Sequence, residues 1–205
     1  GAERILRQSR RGSENLAQII EKALPAIIGE VKVIEGLVDE FASFSRMPGK
    51  RIELVDLLSF VEETVTPLRS AHEGIAFELD LQEDAGEALF DREQMRRAIG
   101  NLLQNAVNAI GKSDRPGRIG LNLKRFGDSV MFVISDNGCG IPDEIGTQVF
   151  APYYSATDGG SGLGLSIVEK IVYDHDGKIW FESSPSGTVF YVSIPGGGLQ
   201  GLEET

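Results

Sequence analysis

The apolar residues of this chain change their period at Met47-Pro48-Gly49, and that change limits what each side can fold into. Before it, Ile20, Ile27, Ile34 and Phe41 recur every seventh position. Leu16, Ala23, Leu37 and Phe44 recur beside them, with Glu30 as the polar interruption. Sustained three-four spacing marks a helix whose seam packs against other helices. Ser13 follows Gly12 and can cap this helix, Pro25 is expected to kink it or to mark where its regular part begins, and Met47-Pro48-Gly49 ends it. Residues 1–48 therefore read as part of an α-helical hairpin that opens in mid-pattern, as an excised fragment would.

Past the break the period mixes. Arg51–Leu54 reads as a short strand, Val55–Arg69 as a helix, and Ile75–Leu81 as a half-buried alternating strand. Asp91 can cap a helix running to about Ile110, and Gly111–Gly117 is a turn. Arg118–Phe126 and Val130–Ser135 pair as antiparallel strands through Gly127-Asp128. A short helix is expected near Asp143–Phe150 and a longer one over Leu163–Tyr173. Gly177–Glu182 and Thr188–Ile194 close a hairpin over Pro185-Ser186-Gly187. This order predicts an α+β fold over residues 49–195, a two-layer α/β sandwich with a mixed, mostly antiparallel sheet and helices on one face. Residues 196–205 read as a disordered tail.

The net charge of −11 argues against nucleic-acid binding and against contact with an anionic membrane surface, since both need basic residues. Any phosphate site must therefore be local. The lone Cys139 excludes an intrachain disulfide. With no signal peptide and no uncharged apolar run of about eighteen residues, the chain reads as soluble and cytoplasmic.

Four segments carry the chemistry. On the helix after Asp91, Asn101, Asn105 and Asn108 fall on one face at spacings of four and three. Their amides can hold a hard cation through carbonyl oxygens and donate to phosphate, although the same stripe also fits a solvated polar face. Asp136-Asn137-Gly138-Cys139-Gly140-Ile141-Pro142 ends a strand in an acid followed by two glycines. A carboxylate only accepts hydrogen bonds, so it suits the exocyclic amine of adenine and repels the carbonyl of guanine; an ordinary turn is the alternative. Phe150-Ala151-Pro152-Tyr153-Tyr154-Ser155-Ala156-Thr157-Asp158 has the makings of a lid, or of a surface loop with aromatics docked on the core. Gly159-Gly160-Ser161-Gly162-Leu163-Gly164-Leu165-Ser166 runs directly into an apolar-periodic helix, where free amides and the helix dipole favour phosphate; a flexible glycine turn is the alternative.

Two other phosphate motifs are excluded. Gly111-Lys112-Ser113 resembles a P-loop ending, but Ala106 stands at the first glycine position and the segment follows a helix. Gly160, Gly162 and Gly164 alternate, with Leu165 where a dinucleotide-binding turn needs its last glycine.

In this order the four segments resemble the N-box, first glycine box, F-box and second glycine box of sensor histidine kinase catalytic domains. Those domains belong to the ATPase superfamily shared with gyrase B, MutL and the large heat-shock chaperone. The resemblance covers residues 50–195. Val38–Pro48 also resembles the end of the dimerisation helix of nitrogen-regulation-type sensors.

The resemblance implies that ATP or ADP binds with Mg²⁺ held at Asn105, and that Asn101 and Asn108 support the phosphates and metal. It implies that Asp136 reads adenine, with Gly138, Gly140, Ile141 and Thr188 around the base. Gly160, Ser161, Gly162, Leu163, Gly164 and Leu165 would wrap the phosphates, and Ala109 and Tyr154 would complete the nucleotide-binding set. Asn101 and Asn105 would be the catalytic pair. The γ-phosphoryl of ATP would pass to a histidine and on to a response regulator receiver domain. The helices would form a homodimer, and the parent protein could be membrane-anchored.

Three departures stand out. The phosphoacceptor motif is missing: His72 and His175 lack its context and read as surface histidines. Asn108 replaces a lysine that many relatives carry, and Ser155-Ala156-Thr157-Asp158 replaces a common Thr-Thr-Lys run. An ATP-hydrolysing relative would carry a glutamate base four residues before the metal asparagine, where this chain has Asn101. A non-catalytic nucleotide-binding dimerisation module is the other alternative.

Overall fold

The computed structural model describes residues 24, 28, 31, 49–152 and 162–196. The chain divides into two compact units, Gly1–Met47 and Pro48–Thr205. In the first, Leu24, Ile28 and Val31 are helical and about half exposed. The heptad seams, the Ser13 cap and Pro25 lie outside the described residues, and so does the expected helical hairpin.

In the second unit, β2 (Ile75–Leu81), β4 (Gly117–Phe126), β5 (Ser129–Asp136), β6 (Lys178–Ser184) and β7 (Gly187–Pro195) form one sheet in the order β2-β4-β5-β7-β6. Only β2 runs parallel to its neighbour; the other pairs are antiparallel. Helices α1 (Leu57–Ala71), α2 (Arg92–Ile110) and α3 (Gly164–Asp174) supply the second layer. Alternation sorts the strands. Ile119, Leu121, Leu123, Phe132, Ile134 and Val192 are buried, together with Phe60, Ile99, Leu103 and Ile167 of the helices. Glu78, Asp80, Arg118 and Asn122 stand on the other face, where Arg118 pairs with Glu78 at 3.1 Å and Trp180 stacks on Tyr191. This is the expected sandwich.

The elements differ from the sequence reading most at the start of this unit. Strand β1 is Glu53–Asp56, and α1 begins at Leu57 because the Asp56 carboxylate accepts from the Ser59 amide. β1 pairs with β3 (Glu87–Phe90), a strand the sequence reading omits, in a separate two-stranded ribbon. Phe60 makes edge contacts with Phe90 at 5.2 Å and Phe132 at 6.0 Å, which ties this ribbon, α1 and the sheet into one core. Gly196, which opens the expected tail, is buried. Its carbonyl accepts from the Leu89 amide of β3, and its own amide donates to Asp128.

Helix α2 is capped at Asp91, whose Oδ1 accepts from the Gln94 amide at 3.0 Å and whose Oδ2 accepts from the Arg51 amide at 2.8 Å. His175 is not on the surface, as its position at a helix end had suggested, but 7% exposed. Its Nδ1 lies 2.7 Å from the Ile171 carbonyl and its Nε2 accepts from the Asp91 amide at 3.1 Å. These two partners fix the neutral tautomer with the proton on Nδ1. His72, at the end of α1, is partly exposed.

Among the described residues no helix is long and apolar enough to cross a membrane.

Candidate functional site

Strand β5 delivers Asp136 between its two neighbours, with Ile119 of β4 opposite on one side and Thr188 of β7 on the other. Burial pushes the Asp136 carboxyl up from its ordinary value, while the backbone amides of Gly138 and Thr188 hold it down. The Gly138 amide donates to Oδ1 at 2.8 Å. A carboxylate offers about four acceptor positions, so acceptor capacity remains. Asn137 continues the strand pairing with its side chain: Oδ1 accepts from the Arg118 amide and Nδ2 donates to the Pro116 carbonyl, both at 2.8 Å.

The two glycines that follow are required by protein contacts. A Cβ on Gly138 would come within 2.6 Å of the Ala109 main chain, and the next amide, of Cys139, donates to the Ala109 carbonyl at 3.2 Å. Gly140 has φ +74° and a Cβ there would lie 1.9 Å from the Ser184 carbonyl. The Ile141 amide then donates to Ser183 Oγ at 2.8 Å, and that hydroxyl lies 3.0 Å from Thr188 Oγ1. Thr188 is 2% exposed. The loop is thus held between the last turn of α2 and the β6–β7 hairpin.

The same helix reaches the other motifs. Asn101 Nδ2 donates to the Gly164 carbonyl at 3.4 Å, at the start of α3. Along α2 the span from Asn101 to Ala109 is about 12 Å, with half-buried Asn105 midway. Asn108 is exposed, and its Oδ1 accepts from Gln104 Nε2 at 3.2 Å. Helix α3 begins after Gly162, at φ +68°, and buried Leu163. Its first turn has no side-chain cap and no acidic residue, and the Ser166 hydroxyl turns back to the Leu163 carbonyl. Among the described residues no side chain caps the opening turn of α3. Acceptor chemistry at Asp136 and donor chemistry at Asn105 and the α3 start lie along one helix. That is the polarity needed by a ligand with an amine at one end and anionic groups at the other.

Tyr154, Gly160 and Ser161 lie outside the described residues. Phe150, at the end of a 3-10 helix over Gly146–Phe150, is buried against Phe181 and Phe190 with ring centres 6.0 and 6.5 Å away. The aromatic start of that segment is thus docked on the core. Ser183 and Arg115 were not anticipated. Ser183 is one alternating position in a strand, and Arg115 lies in a turn without periodicity, so neither carries a local signal.

Residues 90–197 match the family described as histidine kinase-, DNA gyrase B-, and HSP90-like ATPase. The chain belongs to this ATPase family. It is 34% identical over 197 residues to the nitrogen regulation protein NtrY of Azorhizobium caulinodans, covering 94% of this chain and 25% of that protein. It is 31% identical to the sensory histidine kinase/phosphatase NtrB of Vibrio alginolyticus, covering 90% and 57% respectively. The catalytic domain of histidine kinase ThkA superposes with a TM-score of 0.65 at 29% identity, covering 71% of this chain and 96% of that domain. ThkA in complex with the response regulator protein TrrA gives 0.71 at 26% identity, over 83% and 49%. The ATPase family match spans all four motif segments, with α2, the Asp136 loop and α3, and the closing hairpin as well.

Proposed function

We propose that residues 49–195 are the ATP-binding catalytic domain of a sensor histidine kinase, which transfers the γ-phosphoryl of ATP to a histidine outside this chain for relay to a response regulator. The observation that carries this is the attachment of both the Asp136 loop and the α3 start to helix α2. Asp136 accepts from the adenine amine. Gly138, Gly140, Ile141 and Thr188 frame the base beside Ala109, and Tyr154 belongs to the same nucleotide-binding set. Gly160, Ser161, Gly162, Leu163, Gly164 and Leu165 surround the phosphates, where the α3 start, without a side-chain cap among the described residues, and its dipole favour negative charge.

Mg²⁺ fits this donor set. The side-chain carbonyl of half-buried Asn105 is a hard oxygen donor that would hold the ion together with phosphate oxygens. When bound, the ion neutralises charge on the phosphates during transfer. Asn101, whose side chain meets the start of α3, supports the phosphates and the metal beside Asn105. Its amide cannot take a proton from water, so transfer to a protein acceptor is favoured over hydrolysis. Neither histidine here is the acceptor: both ring nitrogens of His175 have backbone partners, and His72 lacks the motif.

The N-terminal residues 1–48 serve as part of a dimerisation hairpin. Leu24, Ile28 and Val31, at spacings of four and three, give one exposed apolar helical stripe of the kind a second copy would cover. A receiver domain is the phosphoryl acceptor downstream, in line with the ThkA–TrrA complex.

Calorimetry with ADP tests the reading. Binding is expected, stronger with Mg²⁺ than without it, and Asn105→Ala should remove most of the Mg²⁺ dependence. Absence of ADP binding, or equal loss in Asn105→Ala with and without Mg²⁺, would count against it. Sustained ATP turnover by the isolated chain would favour hydrolysis.

A further inference from the structure

Resting on that nucleotide-binding reading, we infer that Arg115 is a positioning residue for the adenine pocket, clasping the Asp136 loop to the β6–β7 turn. The guanidinium gathers carbonyls from both. Nη2 donates to Gly138 and to Pro185, each at 2.9 Å, and Nη1 donates to Ser186 at 3.3 Å. Nε donates to Ser113 Oγ at 3.2 Å, and the same hydroxyl accepts from the Arg115 amide, so the arginine is braced on its own turn.

The peptide joining Gly138 to Cys139 is held from both edges. Its N–H donates to Ala109 of α2, while its carbonyl accepts from Arg115. The Gly138 amide, one peptide earlier, donates to the Asp136 carboxylate. Fixing the plane of one peptide thus fixes the orientation of the acid beside it. A second link, from the Ile141 amide to Ser183, lies further along the same loop. Arg115 does not touch the place the base would occupy; it acts through Gly138. A planar fork with several donors can bridge three carbonyls, whereas an ammonium is a single point.

The test uses the full chain with ADP and GDP as probes. Arg115→Ala should weaken ADP binding about tenfold, as expected for losing charge-assisted hydrogen bonds, and should narrow the preference for ADP over GDP. Arg115→Lys should recover part of the ADP affinity. Hydrogen exchange at the Cys139 and Ile141 amides should quicken in Arg115→Ala while exchange in α2 before Ala109 does not. An ADP affinity within about twofold of the parent, or equal losses for ADP and GDP, would overturn the role. Failure of the parent chain itself to bind ADP would instead sink the nucleotide-binding reading on which it rests.

Discussion

Asp136 carries a cost that its partners only partly offset. Burial raises its carboxyl above the ordinary value, and the Gly138 and Thr188 amides oppose that shift. A folded-state value above the unfolded one means that the folded chain takes up the proton first. The contribution of this group to stability is then greatest below the ordinary carboxylate value and declines as pH rises through the raised one. At neutral pH the ionised acid strains the fold. Asp136→Asn keeps an oxygen for the Gly138 amide and removes the buried charge. Its urea midpoint should equal or exceed that of the parent, while its ADP affinity falls by about tenfold or more through loss of a charged acceptor. In the parent, ADP affinity should fall on acidification, starting above the pH at which an exposed aspartate takes up its proton. Urea titration and calorimetry across pH read both. A marked loss of stability in the asparagine variant would assign Asp136 to the fold and not to the ligand.

Helix α2 is the element on which the motifs converge, and its start depends on a residue far along the chain. His175, at the end of α3, accepts the Asp91 amide while Asp91 caps α2 and ties down Arg51. His175→Ala leaves that amide without its partner in a buried place, and an unmet buried donor costs about 1–3 kcal/mol. Equilibrium urea unfolding should show a loss of that size; none would mean that the histidine is spare. Such pairings explain what could be read from sequence. The asparagine stripe, the Asp136 turn and the glycine run each have a local pattern, and so do the strands that alternate over seven or more residues. In the ribbon, the sequence reading places β1 two residues early, and its partner β3 is a four-residue strand far along the chain, too short for a period to register. Arg115 and His175 act through backbone atoms tens of residues away, so nothing beside them in the sequence marks their role.

At the scale of the whole molecule, every contact described for the nucleotide site lies within residues 49–196. A unit of that size can bury its own core. A chain beginning at residue 49 should fold, and should bind ADP within about twofold of the full chain by calorimetry. A larger loss would make the N-terminal segment part of the site. The fastening of the Asp136 loop at Ala109 and of the α3 start at Asn101 turns the stretch between them into a gauge. One residue inserted there would lengthen it by about 1.5 Å and swing one fastening about 100° away from the other. Loops around the site can vary in length, but the interval from Asn101 to Ala109 cannot change without parting the two ends.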